Sequence, residues 1–527
     1  MKNIKSIIIL LIAGWLSTNC QTDLLETIPN DRISKEIFWQ TISDAEFAAN
    51  AVYPSLDGLG IFAYDGITDL LMTNHPFNAN VNIQRGFGTV ATGRFFSEWE
   101  DSYQGIRRAN DFMDNIDRVQ YDNASDINRL RGEVMTIRAY HYIKLAMLYG
   151  DVPLITTDID IEGGRNITRT PVSEVWDFVE AELEQAAAWL PYHNNGRIGK
   201  GAALGLKARA MLFSGRFSQA AEAAKRVIDD GEHTLYPDYY GLFQYQGQNN
   251  SEILLDRQRA RDVNAHNIYA ILAPWSQIPG STGSLYVPTQ KMIDMYEMIN
   301  GKSIDDPDSG FDPFNPYENR DPRLAHSVFL TGRTPLPDGG TYGSTPNTDG
   351  SDAVQITVYS TATGYNVRKY VANQDYNNPS NSGLNIILLR YAEVLLTYAE
   401  AKTELGEIDQ SVYDAINAVR ERPSVEMPPI NMEDGHSQEE LRQIIRKERT
   451  VELAFEGHRL FDIRRWRIGE EEMPGMPLGM TYVENGELKQ VELQGFERSF
   501  NSNRDYLWPI PQQERDLNPN LVQNQGW

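Results

Sequence analysis

The sequence predicts an all-α body: a superhelix of tetratricopeptide-like helix pairs carrying long loop insertions and a few short strands. Three observations carry this. At 201–230, Leu204, Ala208, Met211 and Leu212 recur at helical spacing, Gly215-Arg216-Phe217 turns the chain, and Ala220, Ala223, Ala224 and Val227 make a facing stripe. Apolar residues three and four apart share one helix face, and small ones let antiparallel helices approach closely. The pattern recurs at 386–422, where Leu388, Ala392, Leu395 and Ala399 precede Leu405-Gly406-Glu407, then Ala415, Ala418 and Val419. One such pair cannot bury its apolar face alone, whereas stacked pairs can. The stretches 62–97, 232–290 and 301–385 are too long for simple connections and too aromatic for disordered ones.

The remaining helices follow the same periodicity. One is expected over 99–118, through Trp99, Ile106, Ala109, Phe112 and Met113, and one over 126–149, through Leu130, Val134, Ile137, Tyr140 or His141, and Leu145. Gly150 and Pro153 stop the latter. A third covers 172–190, entered through Thr170-Pro171 and closed before Pro191, and a single long helix is expected over 437–466.

The N-terminus reads as an address. Lys2 and Lys5 precede an apolar run from Ile7 to Leu16, and Cys20, the one cysteine of the chain, follows Ser17-Thr18-Asn19. A basic start, a short apolar segment and small residues make a secretory signal, here 1–19. The run is too short to span a bilayer, which takes roughly 20 residues. A lone cysteine directly after it marks a site of lipid attachment, which anchors the chain at 20–527 to a membrane. That chain reads as one domain with an N-terminal part (about 20–230) and a C-terminal part (about 231–527). A single cysteine also excludes intramolecular disulfides. The net charge of −25 repels phosphate backbones, so nucleic acid is excluded as a partner.

Residues 448–466, ERTVELAFEGHRLFDIRRW, combine acids, a histidine and arginines. Glu452, Glu456, His458, Asp462 and Arg465 interleave with Val451, Leu453, Phe455, Leu460 and Phe461, which reads as a wedged helix with paired ions rather than a catalytic site. Asp321 and Pro322 read as the N-cap and first residue of a helix, with Arg320 and Arg323 tying loops to acids. There is no HExxH helix, GxSxG elbow, phosphate-binding loop or nucleophilic cysteine. A glycosidase needs only two carboxylates, so the sequence leaves that class open. No cofactor is indicated. The acidic turn 305–310 and the group Asn347, Asp349 and Asp352 are the places where a structural calcium ion would sit.

The aromatic loops carry the binding chemistry. Exposed rings beside planar amides, carboxylates and guanidinium groups suit a ligand that carries both apolar faces and hydrogen-bonding groups. Residues 69–87 offer Asp69, Asn74, His75, Phe77, Asn78, Asn80, Arg85 and Phe87. Residues 275–286 offer Trp275, Gln277 and Tyr286, and residues 359–370 offer Tyr359, Tyr365, Arg368 and Tyr370.

Several segments resemble the SusD/RagB family of outer-membrane, glycan-binding lipoproteins. They are the opening Cys20-Gln21-Thr22-Asp23-Leu24-Leu25-Glu26 with Pro29, Ile106-Arg107-Arg108-Ala109-Asn110, Arg131 to Leu154, and Asn319-Arg320-Asp321-Pro322-Arg323-Leu324. The longest are 448–466 and the ending WPIPQQERDLNPNLVQNQGW at 508–527. The resemblance implies a non-catalytic protein that captures a glycan at the cell surface. It would deliver the glycan to a SusC-like TonB-dependent transporter, which it covers like a lid. It also implies that loops comparable to the three aromatic stretches line the ligand site. A family member serving a peptide or glycopeptide transporter, a protein-binding repeat scaffold and a secreted glycosidase are the alternatives.

Overall fold

The computed structural model describes residues 38–527 except 193, 195, 279–282, 349 and 351. Cys20, the leader and Asp349 lie outside the described residues.

Helix α1 (Ile42–Asn50) starts at a capping box, Thr41 accepting from the Asp44 backbone while Asp44 accepts from the Thr41 N–H. α2 (Gly93–Asn115) packs on α3 (Ala124–Tyr149), α3 on α4 (Val172–Trp189), α4 on α5 (Lys200–Phe213) and α5 on α6 (Phe217–Asp230). α6 then packs on α7 (Tyr391–Leu405), which meets α8 (Gln410–Arg420) and α9 (Gln438–Glu452). The two helix pairs read in the sequence are thus neighbours in space, and residues 231–390 are an insertion between them. Gly231 and Gly406, both in the left-handed region, close α6 and α7. α3 is apolar nearly all round, with Leu130, Val134, Ile137, Tyr142, Leu145 and Tyr149 buried, because neighbours cover it on several sides. Each such side chain contributes roughly 1.5–3 kcal/mol.

Two expectations need correction. The helix expected over 437–466 is broken: α9 ends at Glu452 and α10 (Arg459–Trp466) starts after a bend in which Phe455 and Gly457 have positive φ. The apolar period runs through the bend, but buried Asp65 accepts the N–H groups of Gly457 (2.8 Å) and Arg459 (2.9 Å). These bonds replace helical ones, a tertiary override of local pattern. Leu388 belongs to a strand instead of a helix. β6 (Ile386–Arg390) pairs antiparallel with β2 (Ile253–Arg257), pinning the insertion to the start of α7.

The other strands also form two-stranded pieces. β1 (Leu71–Thr73) pairs with β3 (Tyr286–Pro288), and β4 (Val328–Phe329) with β5 (Asn366–Val367). β7 (Leu478–Glu484) and β8 (Glu487–Glu492) form a hairpin through Asn485-Gly486, both at positive φ. The β1–β3 pair brings an N-terminal loop beside the insertion.

A buried ion network joins insertion and repeats. Arg390 donates to Glu252 (2.9 Å), Glu452 (2.7 Å) and Glu456 (2.6 Å). Arg422 donates to Glu252 (2.6 Å) and Glu452 (2.8 Å), and Arg323 reaches Glu452 (3.0 Å) and Asp321 (2.8 Å). Burial pushes the Glu452 carboxyl up, but Arg390, Arg422 and Arg323 outweigh it and hold the group well below the usual carboxylate range. Asp462 binds Arg449 (3.0 Å) and Arg465 (2.7 Å), and Arg465 continues to Glu400 (2.5 Å). The catalytic-looking motif is therefore a structural tie. Asp321 caps the helix Pro322–Ser327 as expected, but Arg320 donates to the carbonyls of Pro316, Ile293 and Tyr296 and not to an acid.

The C-terminal tail closes on the repeats. Trp508 is buried beside Phe95 (ring centroids 4.9 Å apart) and donates its backbone N–H to the Leu148 carbonyl (2.7 Å). Asn524 donates to the carbonyls of Tyr149 (2.8 Å) and Trp508 (2.7 Å). Among the described residues, no helix is long and apolar enough to cross a membrane.

Candidate functional site

Asn74, at the end of β1, joins parts of the three aromatic stretches. Its N–H donates to the Leu285 carbonyl (2.9 Å), its Nδ2 to the Ser360 carbonyl (2.8 Å), and its Oδ1 accepts from Ala362 (3.0 Å). A buried carboxamide with all these partners is a rigid clamp. Next to it, His75 Nε2 donates to the Gly283 carbonyl (2.8 Å), and its ring meets Tyr359 edge-on at 5.4 Å. A carbonyl only accepts, so the proton sits on Nε2 and Nδ1 is left as an acceptor. Burial holds the imidazole below its ordinary value, so His75 is neutral at physiological pH.

Gly283 in turn lies against Trp275: a Cβ there would fall 2.9 Å from the Trp275 Cα and from the Ala273 carbonyl oxygen. Glycine permits this approach, which sets Trp275 one layer from His75. The Trp275 turn is fixed by Ser276, whose N–H and Oγ donate to Asp352 (2.8 and 2.6 Å), and by Gln277, which donates to Asp338 (3.0 Å).

Rings in and next to these clamped segments reach solvent to different degrees. Phe77 is 90% exposed and Tyr359 39%, with Trp275 half-buried. Ile356 (54%) and Val358 (53%), just before Tyr359 in the chain, are exposed as well. These two were missed from the sequence, although the alternation Val354-Gln355-Ile356-Thr357-Val358 inside a polar loop is a readable signal. Asn78 caps the next turn, its Oδ1 accepting from the Asn80 N–H (3.0 Å).

Other expected site residues are elsewhere. Asp69 is buried and bound by Arg459 (2.9 and 2.8 Å) and Lys291 (3.0 Å). Burial raises its carboxyl, but the two cations outweigh that and hold it at about 2. Tyr286 lies buried in β3, and Tyr365 is buried with its hydroxyl donating to Gln290 (2.7 Å). All three are scaffold, because paired charges and satisfied hydroxyls in a dry interior present nothing to a ligand. Arg368 stacks over Tyr240 (4.4 Å) and donates to the Ala325 carbonyl (2.5 Å). Arg85 lies over Phe87 (4.8 Å), and its carbonyl accepts from Ser499 of the tail (3.2 Å). This second pair, with Phe87 55% exposed, belongs to the rim beside the C-terminus.

Of the two places expected for calcium, the one with Asp349 lies partly outside the described residues. Asp306 caps the Asp308 N–H (2.7 Å) in a turn, Asp352 is taken by Ser276, and among the described residues no group of three acid, histidine or cysteine ligands converges.

Comparison with known proteins agrees with this architecture. Residues 245–527 match the SusD family, and residues 67–212 match a family described as starch-binding associating with outer membrane. SusD-like protein P2 of Formosa agariphila is 28% identical, covering 95% of each chain. SusD-like protein P25 of the same organism is 25% identical over 99% of this chain and 98% of its own. A SusD-like carbohydrate-binding protein of Bacteroides fragilis superposes with a TM-score of 0.84 at 28% identity, covering 92% of this chain and 100% of its own. With the match spanning the tail, the ion network and most of the insertion, the chain belongs to the SusD family, which is non-catalytic.

Proposed function

We propose that the protein captures an oligosaccharide on the face formed by Phe77, His75, Tyr359 and Trp275 and hands it to a SusC-like TonB-dependent transporter, tethered at the outer cell surface through a lipid on Cys20. The observation that supports this reading is the Asn74 clamp, which ties a segment of the N-terminal part to the insertion and leaves the neighbouring His75 ring against Tyr359. Rigid, exposed aromatics beside the acceptor Nδ1 of a neutral histidine suit the alternating C–H faces and hydroxyls of a sugar. The test is a panel of plant, fungal and host polysaccharides in native affinity gels with the leaderless protein, assaying reducing ends in parallel. Retardation by one polymer with no reducing ends released is the expected result. Released ends would overturn the non-catalytic reading, and no retardation by any polymer would favour peptide ligands.

A further inference from the structure

A cleft of about 860 Å³ is lined by none of Phe77, His75, Tyr359 and Trp275. It lies between the turn Tyr53–Ser55, the loop leading into α5, and β2. Tyr53, Tyr192, Asn249, Asn250, Arg257 and Gln258 are among its walls. Its wall arginines, Arg197 and Arg257, differ in kind, and the walls also carry Glu232 and Asp256. Arg197 is neutralised by Glu133 and also donates to Asn50 (2.5 Å). Arg257 donates to the Tyr53 carbonyl, and Arg259 beside it donates to the carbonyl of Asn264 (3.2 Å), itself a wall residue. Among the described residues, no carboxylate pairs with either, and the buried Nε of Arg259 has no partner. The acid whose field reaches Arg257 is Asp57, already engaged by Lys144 (2.9 Å) and the Tyr140 hydroxyl (2.7 Å). Burial and the charge of Arg259 pull the Arg257 guanidinium down to about 10.

Two adjacent cations without a counter-ion are costly, and this chain carries 73 acidic side chains against 48 basic ones. The planar fork of arginine matches the oxygens of a carboxylate or sulfate. The tyrosine rings and carboxamides around it, with a buried Tyr192 hydroxyl that has no partner among the described residues, suit the body of a sugar rather than a bare ion. We infer that this cleft is a second binding site, which takes an acidic oligosaccharide and grips its carboxylate or sulfate between Arg257 and Arg259.

Calorimetric titration of the leaderless protein tests this with three probes: a heparin-derived hexasaccharide, its fully desulfated form, and neutral maltohexaose. The heparin hexasaccharide is expected to bind. Its affinity should fall at least tenfold in the Arg257→Gln/Arg259→Gln variant and stay within twofold in Phe77→Ala. Loss of binding on desulfation assigns sulfate, and retention assigns carboxylate. Arg259→Gln alone, which keeps the Arg257–Tyr53 bond, should lose at least threefold with an unchanged melting temperature, guarding against misfolding of the double variant. No binding by either acidic probe, equal binding by the double variant, equally tight binding of maltohexaose at these arginines, or a loss confined to Phe77→Ala would each overturn the site.

Discussion

The ion network around Glu452 and the aromatic face around Asn74 are built from similar sequence material, polar residues interleaved with large apolar ones, yet they do opposite work. In the first, every charge is enclosed and answered: Glu452 alone meets Arg390, Arg422 and Arg323. In the second, the polar groups point inward to hold loops, and the rings are left in solvent, with Phe77 90% exposed. The difference teaches that a cluster of acids, arginines and a histidine is poor grounds for a reactive site when helical spacing can bury it. Rings in loops become informative when a buried amide such as Asn74 fixes them.

Breaking the network should give the largest effect. Glu452→Ala leaves three buried guanidinium groups short of a partner, and removing one member of a buried ion cluster costs about 3–5 kcal/mol. Chemical denaturation should show this loss, or the variant should fail to accumulate as soluble protein. A loss under about 1 kcal/mol would refute the structural role. Arg465→Ala, which strands Glu400 and Asp462, should cost about 2–4 kcal/mol for the same reason and leave glycan affinity unchanged in the folded fraction. Weakened binding at an unchanged melting temperature would contradict the division between the two regions.

Acid should attack the same region. Burial is the main cause holding His458 down at about 4, against an ordinary value of 6.5. A histidine kept neutral in the fold binds its proton more readily once unfolded. Stability is therefore full above about pH 6.5 and falls as pH drops toward 4, by on the order of 2–3 kcal/mol. Asp69, at about 2 in the fold against 3.8 ordinarily, adds a further loss between about pH 4 and 2. Denaturant midpoints across pH 4–7.5 should show the first decline, and His458→Gln should flatten it; an identical slope in that variant would remove His458 as the cause.

The face sharpens the contrast from the other side. Phe77→Ala removes a ring that packs on little, so the melting temperature should hold while glycan affinity falls about tenfold, or roughly 1.4 kcal/mol. Trp275→Ala should weaken binding less, about threefold, because the ring is half-buried. Unchanged affinity in a folded variant would exclude that ring from the site. A large drop in melting temperature for Phe77→Ala would mean the face is packing rather than binding surface.

Much of this molecule was legible before its structure. The helix pairs at 201–230 and 386–422 follow from local spacing, as do the caps at Asp321 and the stops at Gly150 and Gly406, because periodicity and capping act within a few residues of chain. The paired reading of 448–466 came from the same source. What spacing does not reveal is which partner a residue finds far along the chain. Asn74 meets Ser360, Asp69 meets Arg459, and Gly457 and Arg459 are bent out of helix by Asp65, all contacts over hundreds of residues. Tyr286 and Phe77 are both aromatic residues in polar loops, yet one is enclosed by β1–β3 pairing and the other stands in solvent. The sequence by itself determined the repeats and the net negative charge, because each rests on local order or composition. Only the tertiary structure decided which rings form a face and which arginines lack an acid, because burial and pairing are properties of what the rest of the chain brings alongside.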